Sequence, residues 1–456
     1  MRCRGSACPV TVRRQCTFVG RSRTLHRILG LRTGVTIVLL LVLAGSFACA
    51  EVVRVCAGCR FATLESAIRV AAAGDTIVIE AGRYNSTHVL ITKPLTIIGN
   101  DNPILDGGGT GTVITVRSVP VSIRNVVITN TGFSSLDEYA AIKLIESTAS
   151  TVENIEAQRC AFGVVLYRSS QCILSNIRCE GTSAAESLSG NGIHLWKSPS
   201  CRIKHCYVAH HRDGLYFEFS RHCSIESNES VANMRYGLHF MFSDSNAYRN
   251  NVFRSNAAGV AVMYSRNVLM DANVFADNWG PSSYGLLLKD INQSRISNNV
   301  FDRNTVAIYM EGTDGTRFTT NLFRANGWAL KALGSCIGDT LEDNSFVANT
   351  FDVMTNAYHT ELICRRNYWD QYRGYDLDHD GLGDVPHRPV SVFSMLVERV
   401  PTAVLLLRSF VVELLTYVER VIPSLIPAAL LDPMPRMAPP SSATPSHFDR
   451  TRQPEI

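Results

Sequence analysis

Residues 237–278 read GLHFMFSDSNAYRNNVFRSNAAGVAVMYSRNVLMDANVFADN, and two patterns occur twice within them. Asn-x-Phe-x-x-Asn runs from Asn251 to Asn256 and again from Asn273 to Asn278. Gly237-Leu-His-Phe is followed by Gly259-Val-Ala-Val. Working outward, the asparagine pattern recurs at Asn299, Asn321 and Asn344, so successive copies start 22, 26, 22 and 23 residues apart. The glycine pattern extends back to Gly192 and Gly214 and on to Gly285, at steps of 22, 23, 22 and 26. Such a period is one coil of a parallel β-solenoid, not a helical-pair or propeller repeat.

Coils stacked about 4.8 Å apart let each strand pair with the one above, so a residue repeated at one coil position becomes a column. Asparagine tolerates the left-handed backbone of sharp corners, and its amide can bond the next coil's amide. The phenylalanines are expected to stack inside. After each glycine, alternation sends Leu238 and Phe240, and Val260 and Val262, inward. The expected fold is an all-β, single-stranded right-handed parallel β-helix over residues 51–370, about fourteen coils. Thr63 to Ala73 reads as a short amphipathic helix with Thr63 as N-cap, covering the open first coil. Ser183 to Gly190 lengthens one coil and is expected to protrude as a loop.

The chain has 456 residues, a net charge of +4 and 46% hydrophobic content. The basic excess lies in residues 1–34, which carry no acid, so the remainder is near neutral. That argues against a nucleic-acid partner. Val35 to Ala50 is an apolar run behind a basic stretch, the layout of a signal peptide over residues 1–50 and hence of an exported protein. Ten of the 14 cysteines lie beyond Ala50. Cys172, Cys201 and Cys223 occupy one coil position, as disulfides or as a column of buried thiols. Cys56-Ala-Gly-Cys59 is open between a local disulfide and a metal pair.

The repeat stops near Trp369. Residues 371–390 hold Asp376, Asp378, Asp380, Gly381 and Asp384, the first half of a calcium loop whose usual final Glu is replaced by His387. A structural calcium or a solvated acidic turn fits. Residues 391–431 are apolar but too charged to span a bilayer, and are expected to be an amphipathic segment lying on a partner or the membrane surface. Residues 432–456, rich in Pro and Ser, are expected to be disordered.

On the outward face two columns follow from register: His194, Tyr216, His239, Ala261, Leu287, Tyr309, and Trp196, Glu218, Met241, Met263, Lys289, Glu311, Lys331. His239 and Met241 share a strand face, and Met263 lies above Met241. Thioethers with an imidazole suit copper(I); an exposed apolar docking patch is the alternative. A weaker copper candidate stacks the turn residues His210 and His211 against Met234. Carbohydrate-cleaving β-helices need clustered carboxylates, whereas Glu218, Lys289 and Glu311 share one outward column but are expected two or more coils apart, although Asp213 could join Glu218. Catalysis is therefore not expected, although a carbohydrate-binding or carbohydrate-cleaving protein is the rival function.

The strings Gly190-Asn-Gly-Ile-His-Leu-Trp-Lys-Ser198, Arg212-Asp-Gly-Leu-Tyr-Phe-Glu-Phe-Ser220, Met234-Arg-Tyr-Gly-Leu-His-Phe-Met-Phe-Ser-Asp244, Gly259-Val-Ala-Val-Met-Tyr-Ser265 and Tyr284-Gly-Leu-Leu-Leu-Lys-Asp290 resemble those of the NosD family. So do the acidic run from Gly374 to Pro389 and Leu405 to Phe410; the resemblance covers residues 51 to about 431. It implies a periplasmic β-helical accessory protein for maturing the copper centres of nitrous oxide reductase. It also implies an ABC transporter partner, ATPase plus permease, at the inner membrane, and copper supplied by a small lipoprotein chaperone. The apolar segment 391–431 would then dock onto the permease. The resemblance carries over no metal-ligand positions.

Overall fold

A computed structural model describes residues 50–182, 185–356, 361–422 and 430–440. The predicted signal peptide and the last part of the predicted tail lie outside these residues. From Val52 onward the chain winds as a parallel β-solenoid of about 14 turns. One sheet contains 12 strands, from Val89–Ile91 to Phe351–Thr355, and includes all the glycine-led strands; the other strands form a 24-stranded sheet. Among the described residues every pairing within the two sheets is parallel, and the register follows the repeat: Phe253 pairs with Phe275, and Leu238 with Val260.

The phenylalanine column is inside, as the repeat predicts. Rings stack from Phe253 through Phe275, Phe301, Phe323 and Phe346 to Trp369, at centroid separations of 5.6, 4.6, 5.0, 4.7 and 4.1 Å. Burying each such ring stabilises the fold by about 1.5–3 kcal/mol. At Gly237 an added Cβ would lie 2.7 Å from the Gly259 carbonyl of the next coil, so this position admits no side chain.

Asparagine acts differently from its expected corner role. The left-handed residues are those just before it: Asn250, Ala272, Asn298, Thr320 and Asp343, with φ between 54° and 56°. The repeated asparagine points inward and serves the rung beneath. Oδ1 of Asn299 accepts from the backbone N–H and the side-chain amide of Asn273, at 2.9 and 3.0 Å, while its own amide donates to the Met270 carbonyl and to Asn321. This ladder runs from Asn228 to Asn367, and a second from Asn233 to Asn349. Corner geometry turns the chain, and the amide column satisfies the backbone donors buried by that turn.

Both ends are covered. The helix Leu64–Val70, capped by the Thr63 side chain on Ser66 N–H, buries Leu64, Ala67 and Ile68 against the first coil. Cys56 and Cys59 form a local disulfide, which excludes the metal-pair alternative for them in this state. At the other end come the helix Val392–Arg399, a 3-10 turn over Pro401–Leu406 and the helix Phe410–Val421. Phe393, Val397 and Ala403 pack with Phe351, and Val412 and Leu415 lie against them. Among the described residues no helix is long and apolar enough to cross a membrane.

Residues 432–440 depart from the expected disorder. Leu430 and Asp432 are buried, and the guanidinium of Arg436 bonds Asp343 at 2.6 Å. Composition alone missed this because a few anchoring side chains hold a Pro-rich strap that has no periodicity of its own.

Candidate functional site

The glycine-led strands Asn191–Trp196, Asp213–Glu218, Tyr236–Met241, Ala258–Met263 and Tyr284–Lys289 form the wall on which both columns stand. The register pairs Trp196 with Glu218, Glu218 with Met241, Met241 with Met263, Met263 with Lys289 and Lys289 with Glu311. The two methionines are thus vertical neighbours, both half-buried. Lys331 is a correction: it pairs with Tyr309 and belongs to the histidine column, because Ala329, not Gly327, continues the glycine position.

The methionine column is bordered by polar and aromatic groups. The Tyr216 hydroxyl donates to Glu218 at 3.3 Å and lies 4.0 Å from the Met241 sulfur. Burial, then the Glu218 charge, pushes the Tyr216 phenol up to about 12, so it stays a donor. At the adjoining corner Phe219, Phe242 and Tyr264 stack at 5.1 and 5.0 Å and remain about 40% exposed. At the far end of the column Lys289 and Glu311 form an ion pair at 3.6 Å.

The histidine column faces away from the core, as expected, but it is not open to solvent. His194 and His239 are 7% and 6% exposed. Their rings lie edge-on to Tyr216, at 4.9 and 5.2 Å, and His239 also meets Tyr236 at 4.7 Å. Two excursions lie alongside: Glu138, before the strand at Ala140, reaches His194 at 3.6 Å, and Glu186 of the long coil reaches Arg235 at 3.9 Å. Burial holds the His194 pKa down at about 4, leaving a neutral imidazole at neutral pH.

Asp213 is the site residue that alternation does not place. It lies three residues before Tyr216, yet its carboxylate is on the histidine side, 4.0 Å from Nδ1 of His239 and 1% exposed. Arg212 and Arg235 flank it at 3.9 and 3.7 Å. It joins His239, not Glu218 as a carboxylate pair would require.

The weaker cluster does not assemble. His210 takes the left-handed corner and is exposed, whereas His211 is 1% exposed, with a pKa held at about 4 by burial. Met234 N–H bonds the His211 carbonyl at 2.9 Å, so those two are neighbours on adjacent rungs. The cysteine column consists of free buried thiols. Within it the Cys172 thiol is pushed up by its hydrogen bond with Cys201 and by burial, whereas the hydrogen bond with Cys201 holds Cys223 down.

In the acidic loop, oxygens of Asp376, Asp378 and Asp380 lie within 4.8 Å of one another. Asp384 is not with them; its carboxylate accepts from Leu377 N–H at 2.7 Å. His387, at the place of the missing Glu, is turned inward against Trp369 and Tyr372.

With this geometry in hand, similarity to known proteins is informative. Residues 175–374 match the model of a family described as "Periplasmic copper-binding protein (NosD)". The chain is 30% identical over 385 residues to a Pseudomonas aeruginosa protein named "Probable ABC transporter binding protein NosD", covering 80% of this chain and 88% of that one. A Stutzerimonas stutzeri protein of the same name is 24% identical, with 79% and 86% covered. Among solved structures, the catalytic domain of a GH87 α-1,3-glucanase aligns with a TM-score of 0.55 at 11% identity, covering 70% and 69% of the two chains. The Dettilon tailspike protein aligns at 0.51 and 10% identity, covering 64% of each. These two likenesses show the fold alone.

Proposed function

The chain belongs to the NosD family, and from that premise we propose that it is a periplasmic, non-enzymatic scaffold that handles copper(I) during maturation of nitrous oxide reductase. The observation that carries this reading is the Met241–Met263 pair, adjacent in register and half-buried, with the covered His239 two residues along the strand. Two thioethers and an imidazole suit a monovalent soft ion and would supply a labile, three-donor perch from which copper can be passed on. These residues would hold the ion.

The partner proposed is an ABC transporter, with copper delivered by a small lipoprotein chaperone. The helix Phe410–Val421 supports a permease dock: Phe410, Leu414, Tyr417 and Val421, at one-turn intervals, are 75%, 49%, 65% and 61% exposed. A carbohydrate-acting role fits less well, because the neighbours on the accessible column are methionines rather than carboxylates. The Asp376, Asp378 and Asp380 oxygens are proposed to take a structural calcium.

Copper(I) titration of the exported protein against a competing chelator tests the central claim. Wild type is expected to take up copper with a marked loss in the Met241→Leu/Met263→Leu variant. Equal binding by the two proteins overturns it.

A further inference from the structure

Resting on the copper reading above, we infer that Asp213 is the positioning residue that fixes the ring of His239 for the metal. Four features of the wall point to it. Both ring nitrogens of His239 and both oxygens of Asp213 are buried without a hydrogen-bond partner among protein groups. Nδ1 is the nitrogen nearest the carboxylate, at 4.0 Å. Asp213 itself is held from two sides by Arg212 and Arg235. Tyr216 and Tyr236 pack against the His239 ring and limit its rotation.

A histidine that ligates a metal through one nitrogen usually donates its other N–H to a carboxylate, which sets the tautomer and raises ligand basicity. Here the carboxylate side is Nδ1, which leaves Nε2 for copper. Loading the ion would favour the tautomer protonated at Nδ1 and draw that N–H toward Asp213. Two buried groups that lack hydrogen bonds in the free protein would then satisfy each other. Buried polar groups without partners call for an explanation, and a site completed by its cargo supplies one. His194 is the internal comparison. It has its own carboxylate, Glu138, but sits two rungs from His239 on the far side of Tyr216.

The test uses the full exported chain, copper(I) as the probe, and two readouts. Asp213→Asn is expected to weaken copper(I) binding by about 10–100-fold, Asp213→Glu to recover much of it, and Glu138→Gln to leave it unchanged. Nitrogen-15 NMR of the ring is expected to show His239 protonated at Nδ1 in the copper-loaded wild type, a signature that a merely structural role would not produce. A wild type that binds no copper overturns the copper reading itself. A wild type that binds through Met241 and Met263, with Asp213→Asn unchanged in affinity, overturns the positioning role alone. Should Asp213→Asn fail to fold, the wild-type tautomer decides, and protonation at Nε2 overturns the inference.

Discussion

Asp432 closes the column that ends at Asn367. One oxygen of its fully buried carboxylate accepts from the Asn367 backbone N–H at 3.0 Å, from the Asn367 amide at 3.1 Å and from the Trp369 indole at 3.1 Å. These donors would otherwise face the end of the solenoid unpaired. Asp432→Ala is expected to cost about 3 kcal/mol, since it leaves buried donors unsatisfied. The check is urea denaturation with hydrogen exchange, and the fastest-exchanging amides should be those of the last coil.

Inside the ladder the cost falls on the rung below the substitution. Asn299→Asp keeps an acceptor for Asn273 but removes the donor to Met270 and sets a buried charge against its carbonyl. A loss of about 3–5 kcal/mol is expected, and Asn299→Ala should lose less. Comparing urea midpoints for the two variants measures the order.

Stability should depend on pH from both directions. Burial, reinforced by the Asp370 charge and opposed by the Asn349 amide, raises the Asp352 pKa to about 7. The folded state therefore binds the proton more tightly, and this contribution is complete below about pH 4 and lost as pH rises through about 7. His194, lowered to about 4 by burial, acts oppositely: its contribution is present above about pH 6.5 and lost as pH falls towards 4. Asp352→Asn is expected to exceed wild type by a few kcal/mol near pH 8, with the gap shrinking towards pH 4. Denaturation curves across that range read it directly.

The outer stripe of the last helix is predicted to serve binding rather than folding. Leu414→Glu/Tyr417→Glu should change stability by no more than about 0.5 kcal/mol, because both side chains face solvent. Co-purification with the permease should be abolished. Retained association would place the dock elsewhere.

Calcium should raise the melting temperature of the exported protein, and Asp378→Asn/Asp380→Asn should remove the increment without altering the melt in chelator. Asp384→Asn should behave differently, lowering stability with or without calcium, because that carboxylate caps Leu377. A melt indifferent to calcium would leave the loop an ordinary acidic turn.

Register was legible because it is a counting property: 22 residues from Met241 reaches Met263, and the strand pairing agrees. The stacking of phenylalanines followed for the same reason. Enclosure was not legible. Whether the histidine column is open or covered depends on Tyr216 and Tyr236 at His239, and on an excursion that brings Glu138 to His194 from a coil far away in sequence. Asp213 escaped alternation because it lies beside the glycine where the two-residue rhythm breaks. Asp432 escaped because a single buried carboxylate in a Pro-rich stretch has no pattern to betray it.

Asn299 shows the pattern: its oxygen faces Asn273 on the N-terminal side, its backbone N–H and one amide N–H face Asn321 on the C-terminal side, and the other amide N–H turns back to the Met270 carbonyl. The small amide dipoles therefore add head to tail, as peptide dipoles do along an α-helix. Both lines finish at an acidic side chain, Asp432 beyond Asn367 and Asp352 beyond Asn349. The solenoid is in this sense vectorial: a positive pole is built at one extremity by the repeat itself, and carboxyl oxygens have been set there to accept from it.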